Sequence, residues 1–249
     1  MKKNAVFPMA LVLLTVLISE LHAQLETRTV KSFEKVIVSP HIQVVFEEGE
    51  VEQVSIEDAD IPLEKLKVEV NGKTLRIYLE DAKFLTKRVK YKAPYGKNKR
   101  PMYQGTEARV VVHYKNLKRL AVRGEQQITL NSPIERHKFR LLLYGESKVI
   151  FNKIAVNKLR TTIYGESEVE VKSGTIEKQK YLAYGESRVN TLGALNGTTR
   201  ITAYGESDFK VNVRDKIKLS AFGEALVRYE GDPNINRGIV IGRARIKRL

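Results

Sequence analysis

A chain of 249 residues, 42% of them hydrophobic, has enough apolar side chain for one substantial core, which argues against global disorder. It contains no cysteine, so disulfides and thiolate metal sites are excluded. Its formal net charge of +15 favours anionic partners through long-range attraction, although the same surplus also serves solubility.

In chain order, Lys2 and Lys3 come first, followed by an apolar run from Ala5 to Ile18 and by Leu21-His22-Ala23 before Gln24. This is the three-part pattern of a secretory signal peptide over residues 1–23, with cleavage predicted after Ala23. The competing reading is an uncleaved anchor, but the run is about 14 residues where a spanning helix needs about 20. The mature chain, residues 24–249, is expected to be exported to the periplasm, the outer-membrane surface or the medium. No later segment is apolar enough to span. Export points to acidic glycan, lipopolysaccharide or a membrane surface as the anionic partner rather than nucleic acid.

Residues 30–80 read as strands: Phe33–Val38, Ile42–Phe46, Val54–Ile56, Val68–Val70 and Leu75–Leu79 alternate apolar and polar side chains. Asn71-Gly72 marks a tight turn. Pro62 suits the start of a short helical turn over Ile61–Lys67. Residues 83–103 break the pattern. They interleave Lys83, Lys87, Arg88, Lys90, Lys92, Lys97, Lys99 and Arg100 with Tyr91, Tyr95 and Tyr103. Such a mixture can hold acidic polymers, but its Pro and Gly favour a solvated loop inserted between strands. Arg109–Tyr114 resumes the strand pattern. No linker divides the mature chain, which reads as a single domain.

From residue 123 a repeat takes over. Arg123-Gly124-Glu125, Tyr144-Gly145-Glu146, Tyr164-Gly165-Glu166, Tyr184-Gly185-Glu186, Tyr204-Gly205-Glu206 and Phe222-Gly223-Glu224 follow one another at intervals of 21, 20, 20, 20 and 18 residues. A period of about 20 residues flanked by two-residue alternation fits a solenoid of short strands, not a helical repeat or a propeller blade. Each glycine marks a corner where a side chain would collide or a positive φ is required. Consecutive coils then pair in parallel, about 4.8 Å apart. Parity places Leu143, Ile163, Ala183, Ala203 and Ala221 inside, with Val149, Val169, Val189, Phe209 and Val227. Three ladders are predicted outside. The first is cationic, Arg140, Arg160, Lys180, Arg200 and Lys218. The second is aromatic, Tyr144, Tyr164, Tyr184 and Tyr204. The third is acidic, Glu146, Glu166, Glu186 and Glu206, with Lys148 and Arg188 positioned to neutralise it.

These ladders are the candidate ligand-binding residues. Tyrosine rings offer sugars an apolar face and carboxylates accept sugar hydroxyls, while stacked aromatics also serve as glue between coils. No catalytic residue, metal site or cofactor is predicted. His41, His113 and His137 lack metal-like spacing. Tyr-Gly-Glu-Ser lacks the glycine that completes a nucleophile elbow. A ladder of equal carboxylates lacks the unequal environments that separate acid from base. Asn196-Gly197-Thr198 matches a glycosylation sequon by chance.

Three features together resemble the head GIN domain family, described as putative auto-transporter adhesins. They are Phe33–Val38 followed by Ile42–Phe46, the Gly-x-Ser-x-Val repeat at Gly145–Val149, Gly165–Val169 and Gly185–Val189, and the ending Val227-Arg228-Tyr229-Glu230-Gly231-Asp232-Pro233. The likeness spans about residues 30–249. It implies an all-β, right-handed parallel β-helix, export and a role in adhesion, without catalytic residues. The basic insert at 83–103 and the thin glycine content after Pro233 depart from the family. The expected function is therefore that of an exported, non-enzymatic β-helix protein that binds at the envelope. A scaffold self-associating through its ends as a homo-oligomer and a polysaccharide-cleaving enzyme are the alternatives.

Overall fold

Short strands separated by tight corners wind into a parallel β-helix of about six turns in a computed structural model that describes residues 25–93 and 96–249. The segment read as an export signal, residues 1–23, and Tyr95 of the basic insert lie outside the described residues. The strands are β1 (Glu26–Thr29), β2 (Lys35–Val38), β3 (Ile42–Glu48), β4 (Gln53–Ala59), β5 (Leu66–Asn71), β6 (Thr74–Leu79), β7 (Arg88–Ala93), β8 (Gly96–Pro101), β9 (Ala108–Tyr114), β10 (Arg119–Gly124), β11 (Gln127–Leu130), β12 (Ile134–Gly145), β13 (Lys148–Phe151), β14 (Ile154–Gly165), β15 (Glu168–Val171), β16 (Gly174–Tyr184), β17 (Ser187–Glu230) and β18 (Asn234–Arg248). The helical turn expected near Pro62 is a single 3-10 turn at Leu63–Lys65.

The coils stack in the register that the repeat predicts. On one side β2, β10, β12, β14, β16 and β17 pair in parallel, which aligns Arg123 with Tyr144, Tyr144 with Tyr164, Tyr164 with Tyr184 and Tyr184 with Tyr204. After the glycine corner, β3, β11, β13, β15 and β17 form a second parallel stack. A third side aligns Ile134, Ile154, Gly174 and Ala194. The N-terminal end is closed differently. There the hairpin β5–β6 lies against β2 through β6, while β4 pairs antiparallel with β9 and β1 antiparallel with β4.

The interior follows the predicted parity: all ten inward residues named above are buried. Volumes compensate between neighbouring columns, with Thr161, Tyr181 and Ile201 beside Ile163, Ala183 and Ala203. Tyr181 meets the ring of Phe209 at 5.6 Å. Its hydroxyl donates to Gln179 Oε1 at 2.9 Å, and Gln179 Nε2 donates to Thr199 Oγ1 at 2.8 Å. Burial pushes the Tyr181 phenol well above the usual range, so it stays a donor. The corner is equally specific. Gly165 has φ +117, and a Cβ there would lie 2.4 Å from the Gly145 carbonyl oxygen. Ser167 turns inward beside it and donates to that same oxygen at 3.0 Å.

Asn196, of the sequon, is fully buried, and its Nδ2 donates to the carbonyls of Ala194 and Asn212 at 2.9 Å each. No oligosaccharide can be attached there in the folded protein. Asn196→Asp would turn that donor into a buried carboxylate facing two carbonyls. A loss of about 3–5 kcal/mol is expected, read as a lowered urea midpoint at neutral pH and partial recovery at acid pH, where the carboxyl is protonated.

The basic insert differs from its sequence reading. It is a two-stranded antiparallel hairpin, β7–β8, not an irregular loop. The alternation Val89, Tyr91, Ala93 within the lysine run is strand chemistry that Pro94 and Gly96 obscure. At its base, His41 accepts a positive φ of 70° and holds the insert, its ring nitrogens bonding Gly105 O at 2.8 Å and Thr86 Oγ1 at 2.5 Å.

Candidate functional site

The aromatic column is continuous. Tyr144, Tyr164, Tyr184, Tyr204 and Phe222 stack with centroids 5.2, 5.0, 4.8 and 4.7 Å apart and planes within 9° of parallel. Its first ring is capped by the Arg123 guanidinium, 5.7 Å from the Tyr144 centroid, and that guanidinium also sits 4.8 Å from the ring of Phe84. This geometry changes what the column can do. A pyranose between two rings needs a van der Waals gap on each side, about 7–8 Å between planes. The ring faces are therefore given to one another, and only ring edges and hydroxyls are presented outward. Removing one ring breaks two stacking contacts of about 0.5–1.5 kcal/mol each. Tyr164→Ala is accordingly expected to lower stability by about 1–3 kcal/mol in urea titration.

The cationic column lies four residues before the aromatic one on the same strands. Register aligns Lys35, Arg119, Arg140, Arg160, Lys180 and Arg200 in six successive strands. A second column escaped the sequence reading: Lys138, Lys158 and Lys178 align two residues earlier. The signal was available, since a basic residue stands six before the tyrosine in three consecutive coils. Together, Lys138, Lys158, Arg160, Lys178, Lys180 and Arg200 line a shallow depression of about 340 Å³ with Leu159, Gln179 and Thr198. Among the described residues no carboxylate comes within 4 Å of any of these cations or of Arg140. Adjacent like charges at about 4.8 Å repel by about 0.9 kcal/mol even in water. The field is felt within the group: Arg140, then desolvation, Arg160 and Lys158, lowers the Lys138 pKa from its ordinary value. The outer face thus stores repulsion that a bound polyanion would relieve.

The acidic column is separated from both. Glu146, Glu166, Glu186 and Glu206 stand exposed at the corner after the glycine. Glu186 and Glu206, with Glu224, line a different depression, of about 430 Å³, together with Arg188, Asp208 and the β18 cations Arg243, Arg245 and Lys247. Glu224 pairs with Arg243 at 3.5 Å. Lys148 does not neutralise the acidic column as expected. It pairs instead with Glu168 at 3.2 Å and Glu170 at 4.0 Å, because register sets it directly over Glu168. So the structure brings the tyrosines and the arginines of the candidate site onto one face and gives the glutamates to the edge of another.

The family model for the putative auto-transporter adhesin, head GIN domain, matches residues 32–233. No curated protein matches the sequence. Among solved structures, a putative adhesin from Bacteroides fragilis aligns with a TM-score of 0.74 at 14% identity, covering 90% of this chain and 95% of that one. A putative adhesin from Parabacteroides merdae aligns at 0.65 and 15%, with the same coverages. A putative lipid binding protein from Parabacteroides distasonis aligns at 0.58 and 18%, covering 90% and 96%. At such identities the likeness shows a shared fold alone. No described helix is long and apolar enough to cross a membrane.

Proposed function

Since this chain belongs to the head GIN domain family of putative auto-transporter adhesins, we propose that it is an exported, non-enzymatic adhesin that holds acidic glycan on its cationic face. The observation that carries the reading is the pair of cation columns, 138/158/178 and 140/160/180/200, all but Arg140 lining one depression, with no carboxylate in ion-pair range among the described residues. Counter-charge has been left for a partner to supply. Export is supported by the signal pattern at the N-terminus and by the adhesin description of the family. The non-enzymatic reading is supported by the acidic column, whose four glutamates are all exposed at the same corner of successive coils. Hydrolysis of a glycosidic bond by paired carboxyls needs one held protonated beside one held ionised.

The test is retention of the mature chain on immobilised uronate or sulfated polysaccharide, on lipopolysaccharide and on a neutral glucan, at low and high salt. Retention on one or more acidic matrices that weakens with salt, and none on the glucan, is expected. The lipopolysaccharide arm separates a lipid-borne phosphate from a glycan carboxylate or sulfate. Equal retention on neutral and acidic matrices, or release of soluble sugar products, would overturn the reading.

A further inference from the structure

The two ends of the solenoid are unlike. At the C-terminal end, β18 pairs along one edge with β17 and, among the described residues, with nothing along the other. Such an edge presents a row of free backbone donors and acceptors. The core also opens here. Val240 stands in register with the buried Ala221 yet is 37% exposed, and Ile239 and Ile241 beside it are 64% and 63% exposed. The strand carries Arg237, Arg243, Arg245, Lys247 and Arg248 and no carboxylate. At the opposite end, among the described residues, β5 pairs as a strand only with β6 and β1 only with β4, and Arg28 of β1 donates to the Leu66 carbonyl at the start of β5. That end carries Asp60 and Glu64, with Glu69 held by Lys83 and Tyr78, alongside the cations Arg28, Lys65 and Lys67, and its apolar residues Val68 and Val70 are half-buried against the core.

We infer that β18 of one molecule docks on the β5 and β1 edges of a second copy, so that the protein associates head to tail along its own axis. Charge favours this arrangement over tail-to-tail contact. Two β18 edges brought together would set five cations against five, with only Glu224 beside Arg243 and Asp232 beside Arg248 to offset them among the described residues, whereas the N-terminal end offers further carboxylates. Strand direction permits it. β5 runs against the β2 stack, so residues 236–242 of β18 would meet it antiparallel. β1 runs with the β9 stack, so residues 243–248 would meet it in parallel. The contact buries Val240 and Ile241 and satisfies the free edges on both sides. This inference stands apart from the glycan reading, since it uses neither the cation columns nor a ligand.

The experiment is sedimentation equilibrium of the mature chain over a wide concentration range, with two end-blocked variants. Val240→Lys/Ile241→Lys blocks the tail, and Glu64→Lys/Glu69→Lys blocks the head. All four positions are exposed or at the rim, and circular dichroism checks the fold of each variant. The unmodified chain is expected to gain mass with concentration, open-endedly. Each variant alone should associate at least about tenfold more weakly, and an equimolar mixture of the two should stop at the dimer. A unique monomer at all concentrations overturns the inference. So does a head-blocked variant that still dimerises by itself, which would mean tail-to-tail contact. If a variant fails to fold, the unmodified chain alone decides between growth and a fixed monomer or dimer.

Discussion

Gly165→Ala should be among the costliest single-methyl changes in this protein, at about 4 kcal/mol or more in urea unfolding. Two costs add. A φ of +117 is a conformation that side-chain-bearing residues rarely adopt, which costs on the order of 1–3 kcal/mol. The new Cβ would also sit 2.4 Å from a backbone oxygen of the coil beneath, and that oxygen already accepts from Ser167 and from the Glu166 amide. Neither partner can retreat without parting two coils. Gly72→Ala is the control. Its φ is +57 with nothing within 4 Å of the added atom, so only the left-handed penalty of about 1–2 kcal/mol applies. Equal losses at the two sites would show that conformational strain alone, and not the contact between coils, fixes the corner.

Arg160→Glu combined with Lys180→Glu should abolish most acidic-glycan binding while leaving the fold intact. A cation facing an anionic surface contributes about 1 kcal/mol, and reversal replaces that attraction by repulsion. Two reversals therefore cost about 4 kcal/mol, close to a thousandfold in Kd. Among the described residues neither side chain has an ion-pair partner to lose. The matched control is Lys148→Glu with Arg188→Glu, which alters net charge equally but on the side where carboxylates already stand. A loss under about tenfold is expected there. If both pairs weaken binding alike, net charge and not the column is responsible.

The register and the two sides of each coil were legible because the sequence repeats them. Tyrosine over tyrosine and glycine over glycine follow from a 20-residue interval, and burial at Ser147, Ser167 and Ser187 follows from parity. What the repeat does not contain was harder to see. The hairpin β7–β8 has a basic composition that masks its alternation. The use of the tyrosine faces was hidden for a different reason. Spacing gives the distance between coils but not the tilt of a ring, and it is the near-parallel tilt that closes those faces to a sugar. The pairing of Lys148 with Glu168 is a cross-coil contact, visible only once the coils are superposed. The antiparallel cap at the N-terminal end has no counterpart in the repeat to announce it.

The glycine column also has a bearing on how such a chain can change length. Because each corner rests on the carbonyl of the corner below, a coil that gains or loses a residue or two must absorb the change away from that corner, as the intervals of 21 and 18 do while Gly124 stays beside Gly145 and Phe222 stays stacked on Tyr204. A segment copied whole, such as residues 146–165, would instead slot in with its own tyrosine, glycine and arginine already in place, and the rod would grow by one step of about 4.8 Å. Growth by duplication is thus the route that leaves the surface stripes unbroken.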